Sequence, residues 1–151
     1  MKKLLSLTLT LICILTALTA CNNASTQQPT INAEIELCTD ELLVIKVTET
    51  TPNANAMDLL AKLQNEGKVN FESFDGGYGA YVTSINGVAE VANGNEGYSW
   101  MLYTSDEELS STEFGSLTYQ GTVFGQAAVG ASSLKLKAGE YYVWAYEHWA
   151  F

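Results

Sequence analysis

Two short runs of β-branched and aromatic residues near the middle of the chain constrain its fold more than any other feature. They are Ala80–Ile85 and Tyr98–Thr104, and the loop between them contains Asn86-Gly87 and Asn93-Gly94. Val, Ile, Thr, Tyr and Trp favour extended backbone, whereas Asn-Gly pairs favour tight turns. We therefore predict two strands, connected through this loop, at the centre of the domain.

The first thirty residues carry an export pattern. Lys2 and Lys3 precede an uncharged apolar run from Leu4 to Leu18, which is shorter than a membrane-spanning helix needs. Small residues then lead to Cys21, as they do at the cleavage site of bacterial lipoproteins. We predict a signal peptide over 1–20, lipidation of the Cys21 thiol, and a flexible polar tether over 21–30. This pattern predicts an extracytoplasmic protein, anchored to the bacterial cell membrane through its N-terminal lipid.

The charge of the chain excludes some classes of partner. The chain has 7 basic residues, all of them lysine, and 17 acidic residues, for a formal net charge of −10. Removal of residues 1–20 takes away Lys2 and Lys3, so 5 lysines remain against 17 acids and the net charge becomes −12. Because such a surface repels nucleic acid and anionic lipid headgroups, we expect no nucleic-acid partner.

Strand patterns and one helix pattern follow residue 30. Ile31–Leu37 and Leu43–Val47 alternate apolar and polar residues, as the two strands of an antiparallel hairpin would. Asn55 can cap a helix over 56–66, and Gly67 can end it. The pattern predicts a hairpin followed by a helix of about three turns.

The remaining segments complete a fold prediction. Val69–Phe74 alternates as a strand, Ser105–Ser116 is polar and acidic, and Tyr141–Trp149 is apolar on both faces. The last pattern is typical of a central strand that is covered on both sides, or of a strand that exposes a functional aromatic face. We predict one α+β domain over 31–151. It is β-grasp-like, with a mostly antiparallel sheet, one helix that covers one face, and a second face that stays open.

Side chains that commonly carry catalysis or bind metals are few. His148 is the single histidine, and Glu147 beside it would point to the opposite face of a strand. The sequence contains no Gly-x-Ser-x-Gly, Cys-x-x-Cys or His-Glu-x-x-His pattern. The acids Asp106, Glu107, Glu108 and Glu113 follow no calcium-loop spacing, which favours a solvated loop over a calcium site. We therefore predict no enzyme, no metal site and no cofactor.

One thiol lies within the predicted domain. Once Cys13 leaves with the signal peptide and Cys21 is lipidated, Cys38 has no partner for an internal disulfide. It ends an alternating strand, so we expect a small buried apolar group. The alternative is a reactive thiol.

The central strands also carry a family resemblance. The order Tyr-Val-Thr-Ser-Ile-Asn-Gly, a glycine-containing loop and Tyr-Ser-Trp-Met-Leu-Tyr resembles the C-terminal domain of transcobalamin and intrinsic factor, and similar domains occur in bacterial surface lipoproteins. The resemblance runs from about Leu42 to Trp149 and implies a β-grasp-like fold with cobalamin as the candidate ligand. It places ligand-binding residues on the first strand, at the tryptophan of the next strand and in a later loop. Those positions are Thr83, Ser84, Asn86, Trp100, Tyr119, Phe124 and Gln126.

Aromatic residues are more numerous than a core of this size needs. The chain has 3 tryptophans and 8 tyrosines, and such rings often mark the faces that meet ligands or partners. We predict a membrane-anchored surface lipoprotein whose non-catalytic domain binds cobalamin, another ligand or a surface protein. The alternative is a structural or adhesive cell-surface module with no small-molecule ligand.

Overall fold

The computed structural model of this protein describes residues 29–77 and 79–151. The predicted signal peptide, the lipidation of Cys21 and most of the predicted tether lie outside the described residues. Among the described residues, the structure has one helix and ten strands. They are β1 Ile31–Cys38, β2 Leu42–Thr50, α1 Ala56–Asn65, β3 Phe71–Asp75, β4 Ala80–Ile85, β5 Val88–Ala89, β6 Val91–Asn93, β7 Glu96–Thr104, β8 Ser110–Tyr119, β9 Thr122–Ala127 and β10 Tyr141–Ala150.

The strands form two sheets, and every pairing is antiparallel. The main sheet has seven strands in the order β1-β2-β10-β7-β9-β8, with β6 paired to the free part of β7. A smaller sheet contains β3, β4 and β5. A mostly antiparallel architecture with one short helix confirms the predicted α+β class. Within the described residues, that helix is neither long enough nor apolar enough to cross a membrane.

The helix begins and ends where its sequence signals lie. Asn55 Oδ1 accepts hydrogen bonds from the backbone N–H groups of Met57 and Asp58, at 2.9 and 3.1 Å. Asp58 Oδ2 in turn accepts one from the Asn55 N–H at 2.9 Å, which completes a capping box. Gly67 has a φ of 68°, a left-handed conformation that terminates the helix at little steric cost. The capping prediction is confirmed.

Strand β10 lies at the centre of the main sheet, as its two apolar faces predict. Tyr142 and Trp144 point into a larger hydrophobic cluster, together with the buried leucines of α1 and the inner residues of β2. Val143 and Ala145 point into a smaller cluster on the opposite face. The alternation of side chains along a strand separates the two sets.

The polar and acidic segment Ser105–Ser116 is a strand for most of its length, because β8 begins at Ser110. Gln120 and Gly121, with φ values of 49° and 81°, make a two-residue turn that returns the chain as β9. This hairpin lies over the face that was expected to stay open, where it contributes the buried Phe124 and the partly buried Leu117. The short-range sequence is polar, but pairing between β8 and β9 overrides it.

One acidic side chain before β8, that of Asp106, is less solvated than predicted, whereas Glu107 and Glu108 are exposed as expected. Asp106 is 4% exposed, and Lys137 Nζ lies 3.0 Å from each of its carboxylate oxygens, with hydrogen-bond geometry at Oδ1. Lys137 also contacts Glu108 at 2.6 Å. The hydrogen bonds to Glu108 and then to Asp106 are the main reasons why the pKa of Lys137 is raised above its ordinary value. The contacts of Lys137 with Asp106 and Glu108 connect the start of the hairpin to the segment before β10.

Cys38 is exposed, so the prediction of a buried apolar group is wrong. Along β1 the outward positions are those of Asn32, Glu34 and Glu36, and residue 38 continues that exposed series. Asn86 Nδ2 donates a hydrogen bond to the Cys38 sulfur at 3.2 Å. The same period of two that predicted the strand therefore places the thiol on the solvent side.

Candidate functional site

A cleft of about 320 Å³ opens where the small sheet meets the main sheet. The size is at the lower end of the range for small-molecule sites, and most of the residues that line the cleft are apolar. Residues from β4, β7, the end of β9 and the loop after it surround the cleft. They are Tyr81, Val82, Trp100, Met101, Leu102, Gln126, Ala127, Ala128, Val129, Gly130 and Ala131, with Trp144 of β10.

Trp100 joins the two sheets behind this cleft. Its side chain is 5% exposed, and its Nε1 donates a hydrogen bond to the Val88 carbonyl of the small sheet at 2.8 Å. The Tyr146 ring lies 5.3 Å from the Trp100 ring, and its hydroxyl donates to the Ala89 carbonyl at 2.8 Å. Two main-sheet aromatics thus satisfy the carbonyls of β5, which fixes the back wall of the cleft.

The mouth of the cleft is apolar and open to solvent. Tyr81 is 45% exposed and Val129 is 39% exposed. Phe74 holds the Tyr81 ring edge-on at 5.9 Å, and the Glu90 carboxylate lies 3.5 Å from the Tyr81 hydroxyl. The pKa of the Tyr81 hydroxyl is raised, mainly because the hydroxyl is desolvated and to a lesser extent because the Glu90 carboxylate is close to it. In this arrangement the Tyr81 hydroxyl donates its hydrogen bond to Glu90 Oε1.

The loop that closes the cleft is tied to the start of β4. Ser132 Oγ accepts a hydrogen bond from the Ala80 N–H at 2.9 Å. Gly79, with a φ of 100°, approaches the same hydroxyl so closely that a Cβ there would lie 2.9 Å from it. A larger residue at position 79 would push the loop away from β4, so this glycine sets the width of the cleft.

The structure brings two of the predicted ligand-binding residues, Trp100 and Gln126, to the cleft. The Gln126 side chain itself points to the face of the smaller cluster, where its Nε2 donates a weak hydrogen bond to the Met101 sulfur at 3.8 Å. Thr83 and Ser84 lie farther along β4. The Thr83 carbonyl accepts a hydrogen bond from the Glu90 N–H at 2.7 Å, and Ser84 is 6% exposed. Neither of these two residues lines the cleft.

Asn86 occupies a turn rather than the cleft. Its φ of 50° and the φ of 87° at Gly87 form the tight turn between β4 and β5. Its Oδ1 accepts a hydrogen bond from the Asn70 N–H at 2.9 Å, and its amide nitrogen donates to Cys38. The Asn-Gly signal therefore predicted the turn correctly, and the side chain holds the turn against neighbouring segments.

Tyr119 and Phe124 lie on the other face of the main sheet. Phe124 is 1% exposed and its ring lies 5.6 Å from that of Tyr141, within the smaller cluster. Tyr119 packs at the edge of the same cluster. These two residues and Trp100 are therefore separated by the main sheet and cannot contact one small ligand together.

Sequence patterns missed several residues of the cleft. Tyr81 precedes the buried Val82 on a strand, and alternation alone marks it as an outward aromatic side chain. The segment from Ala128 to Ala131 has no such signal, because small residues in a loop do not indicate what they contact. Only the tertiary structure, through the lining of the cleft and the hydrogen bond of Ser132 to β4, shows that this loop closes the cleft.

Glu147 and His148 point to opposite faces of β10, as predicted. Glu147 accepts a hydrogen bond from the Tyr103 hydroxyl at 2.7 Å on the side of the smaller cluster. The pKa of Tyr103 is raised, mainly because the hydroxyl is buried and to a lesser extent because it donates to the Glu147 carboxylate. The His148 ring instead packs edge-on against Tyr98 at 5.1 Å. Within residues 29–77 and 79–151, no three histidine, cysteine, aspartate or glutamate side chains are grouped to hold a metal ion.

Comparisons with protein-family models, with curated proteins and with solved structures give no match for this chain. What the domain binds therefore has to be inferred from its own geometry and chemistry.

Proposed function

We propose that this chain is a lipid-anchored surface protein whose domain binds a ligand, without catalysis, in the cleft between the two sheets. The observation that carries the proposal is the combination of a fixed aromatic wall at Trp100 with an open apolar mouth at Tyr81 and Val129. An exposed apolar mouth costs solvation free energy unless it is covered by a ligand or partner. The Tyr81 hydroxyl and the Glu90 carboxylate beside it are polar groups at the mouth that would orient the ligand.

The β-grasp-like arrangement belongs to the same proposal. The order of hairpin, helix and further strands supports it, as does the burial of Leu59, Leu60 and Leu63 of α1 in the larger cluster. On this interpretation the domain corresponds to the C-terminal domain of transcobalamin. That correspondence makes cobalamin the first ligand to test. Since cobalamin is much larger than a cleft of about 320 Å³, the cleft would hold one edge of the ligand.

Calorimetric titration of the chain from Asn22 to Phe151 with cyanocobalamin tests the ligand. We expect a dissociation constant in the micromolar range or below, about −8 kcal/mol. Tyr81→Ser should weaken this binding about tenfold, because it removes an exposed ring from the mouth without opening the core. Phe114→Ser is the matched control, since Phe114 is 65% exposed in β8 and lies outside the cleft lining.

Equal affinity of the two variants would exclude the mouth of the cleft from the ligand site. Absence of heat with cyanocobalamin would exclude cobalamin as a ligand of the isolated domain. In the transcobalamin family the ligand lies between this small domain and a helical domain. Absence of heat would therefore shift attention to a helical partner protein that supplies the other half of the site, or to the exposed Phe74–Tyr81 pair as a contact for another surface protein.

Membrane attachment is tested by the substitution Cys21→Ala. Without the thiol no diacylglyceryl group can be attached, so we expect the protein to move from the membrane fraction to the soluble fraction. Immunoblotting of fractionated cells measures this distribution. Retention of the variant in the membrane fraction would contradict anchoring through Cys21, and Cys38→Ala is the control thiol substitution that should leave the distribution unchanged.

A further inference from the structure

A second exposed group of side chains projects from the main sheet outside the cleft. We call it the Tyr98 platform, and it consists of Val91, Asn93, Glu96, Tyr98 and His148. Val91 and His148 are the direct cross-strand neighbours of Tyr98, and Asn93 is the neighbour of Glu96. Because cross-strand neighbours share a face, the five side chains stand on one side of β6, β7 and β10. They surround a concavity of about 400 Å³.

The central ring of the platform is held in place but left open. Tyr98 stacks on Tyr146 with their centroids 5.5 Å apart and their planes at 21°, and the His148 ring lies T-shaped against it with the centroids 5.1 Å apart. Nevertheless Tyr98 is 46% exposed, and Val91 beside it is 54% exposed. The face of an aromatic ring carries negative electrostatic potential, so an exposed and positioned ring attracts cations.

A carboxylate reinforces this potential. Glu96 lies two residues before Tyr98 on the same face and its side chain is 62% exposed, with one oxygen 3.7 Å from His148 Nε2. The lysines within the described residues all make contacts elsewhere. Lys46 lies over the Tyr141 ring, Lys62 and Lys68 contact Glu66, Lys135 donates to the Asn53 carbonyl, and Lys137 contacts Asp106 and Glu108. None of these ammonium groups neutralises the platform.

We propose that the Tyr98 platform binds a small organic ammonium ion of the trimethylammonium type. The ring face of Tyr98 would contact the cation, the Glu96 carboxylate would balance its charge, and Val91 would cover its methyl groups. The acidic surface of the domain disfavours an anionic ligand at this position. A neutral ligand of the same shape would gain the apolar contact but neither electrostatic contribution.

Titration of the full chain with choline, in a maltoside detergent, tests this site. The matched ligand is 3,3-dimethylbutan-1-ol, which has the shape of choline but a carbon atom in place of the charged nitrogen. We expect choline to bind at least about fivefold more tightly than the neutral alcohol, which is within the range of a partly exposed cation–π contact. Equal binding of the two compounds, or no heat from choline up to about 10 mM, would overturn the proposal.

Variants locate the site. Tyr98→Leu and Glu96→Gln should each weaken choline binding about threefold to thirtyfold, whereas Tyr98→Phe keeps the ring and should bind within about twofold of the parent. Glu34→Gln removes the same charge from the exposed side of β1 and should have no effect. Unchanged binding in Tyr98→Leu, or an equal loss in Glu34→Gln, would show that the platform is not the site. Circular dichroism confirms that each variant is folded.

The binding proposals for the platform and for the cleft can be tested independently of each other. Tyr98 and Glu96 do not line the cleft, and Tyr81 does not line the concavity of the platform. A loss of choline binding in Tyr98→Leu with cobalamin binding intact would support two independent sites. Loss of choline binding in Tyr81→Ser would place the cation in the cleft and overturn the assignment to the platform.

Discussion

The two faces of the main sheet are covered in different ways. The larger cluster is closed by α1 and by the small sheet, which are separate elements that approach β2, β7 and β10. The smaller cluster is closed by the β8–β9 hairpin, which extends from the same sheet and packs back on it. Strand β10 serves both faces, with Trp144 buried in one cluster and Val143 in the other.

The difference explains where a binding site can form. On the larger face, two sheets meet along a seam, and the seam leaves the cleft beside Trp100. On the smaller face, β9 pairs with β7 at only two positions, Tyr103 with Gln126 and Thr104 with Gly125. A cover that is attached so briefly should open locally, whereas the larger cluster should open only when the whole domain unfolds.

The largest expected effect comes from Trp144→Ala. Trp144 is 1% exposed in the larger cluster, and its removal should lower the free energy of unfolding by about 3–5 kcal/mol. Phe124→Ala, in the smaller cluster, should cost about 2–3 kcal/mol, because the hairpin can relax into the space. Urea denaturation measures both values. Hydrogen exchange should show loss of protection in β8 and β9 alone for Phe124→Ala. Global loss of protection in both variants would mean that the two covers are equivalent.

A smaller effect is expected where β6 and β10 press against β7. A Cβ at Gly97 would lie 2.1 Å from the Val91 carbonyl oxygen and 2.6 Å from Cζ2 of Trp149. Gly97→Ala should therefore lower the free energy of unfolding by about 1–3 kcal/mol through overpacking. Gly76→Ala is the control, since its Cβ would meet only the Phe74 ring at 3.4 Å. Thermal unfolding compares the two, and an equal shift would contradict the packing argument.

The smallest effect concerns alkaline pH and compares one buried tyrosine from each face. Burial, the largest cause, raises the pKa of Tyr142 from 10.0 to about 12, and its hydroxyl accepts a hydrogen bond from the Lys137 N–H and donates one to the Lys135 carbonyl. The folded state holds the Tyr142 proton more tightly than the unfolded state does. The contribution of this hydroxyl to the free energy of unfolding is therefore complete below pH 10.0 and is lost as the pH rises through about 12. Tyr103 should behave likewise, since its pKa is also raised.

The free energy of unfolding should fall less steeply with pH in this alkaline range in Tyr142→Phe and in Tyr103→Phe. At the upper end of the range, the loss in each variant should be about 1–2 kcal/mol smaller than in the parent. Urea denaturation at a series of pH values provides the measurement. Tyr98→Phe is the control at an exposed tyrosine, since Tyr98 is 46% exposed. A profile that stays the same in both buried-site variants would show that neither hydroxyl contributes to the alkaline transition.

Sequence patterns predicted the elements whose signals are local. The capping residues of α1, the alternation of β1 and β4, and the two apolar faces of β10 all correspond to the structure. The patterns failed at Ser110–Tyr119, where polar residues form a strand because β9 pairs with them. They also failed at Cys38, where the expectation of a buried thiol ignored the face that alternation assigns to it.

The candidate site could be predicted only in part. Trp100 is among the residues that line the cleft, but Phe124 and Tyr119 lie on the opposite face, since sequence order does not show on which side of a sheet a hairpin folds. The Tyr98 platform was not foreseen. Its five members come from three strands, and only their register brings them together.

The sequence by itself determined the local features of this protein: where strands alternate, where Asn55 and Gly67 bound a helix, and how acidic the chain is. The tertiary structure decided which faces are covered, which aromatic rings stay exposed, and that the small sheet leaves a cleft beside Trp100. The reason is physical. Capping and alternation depend on neighbours a few residues away, whereas burial depends on strand pairings between segments that are distant in the chain.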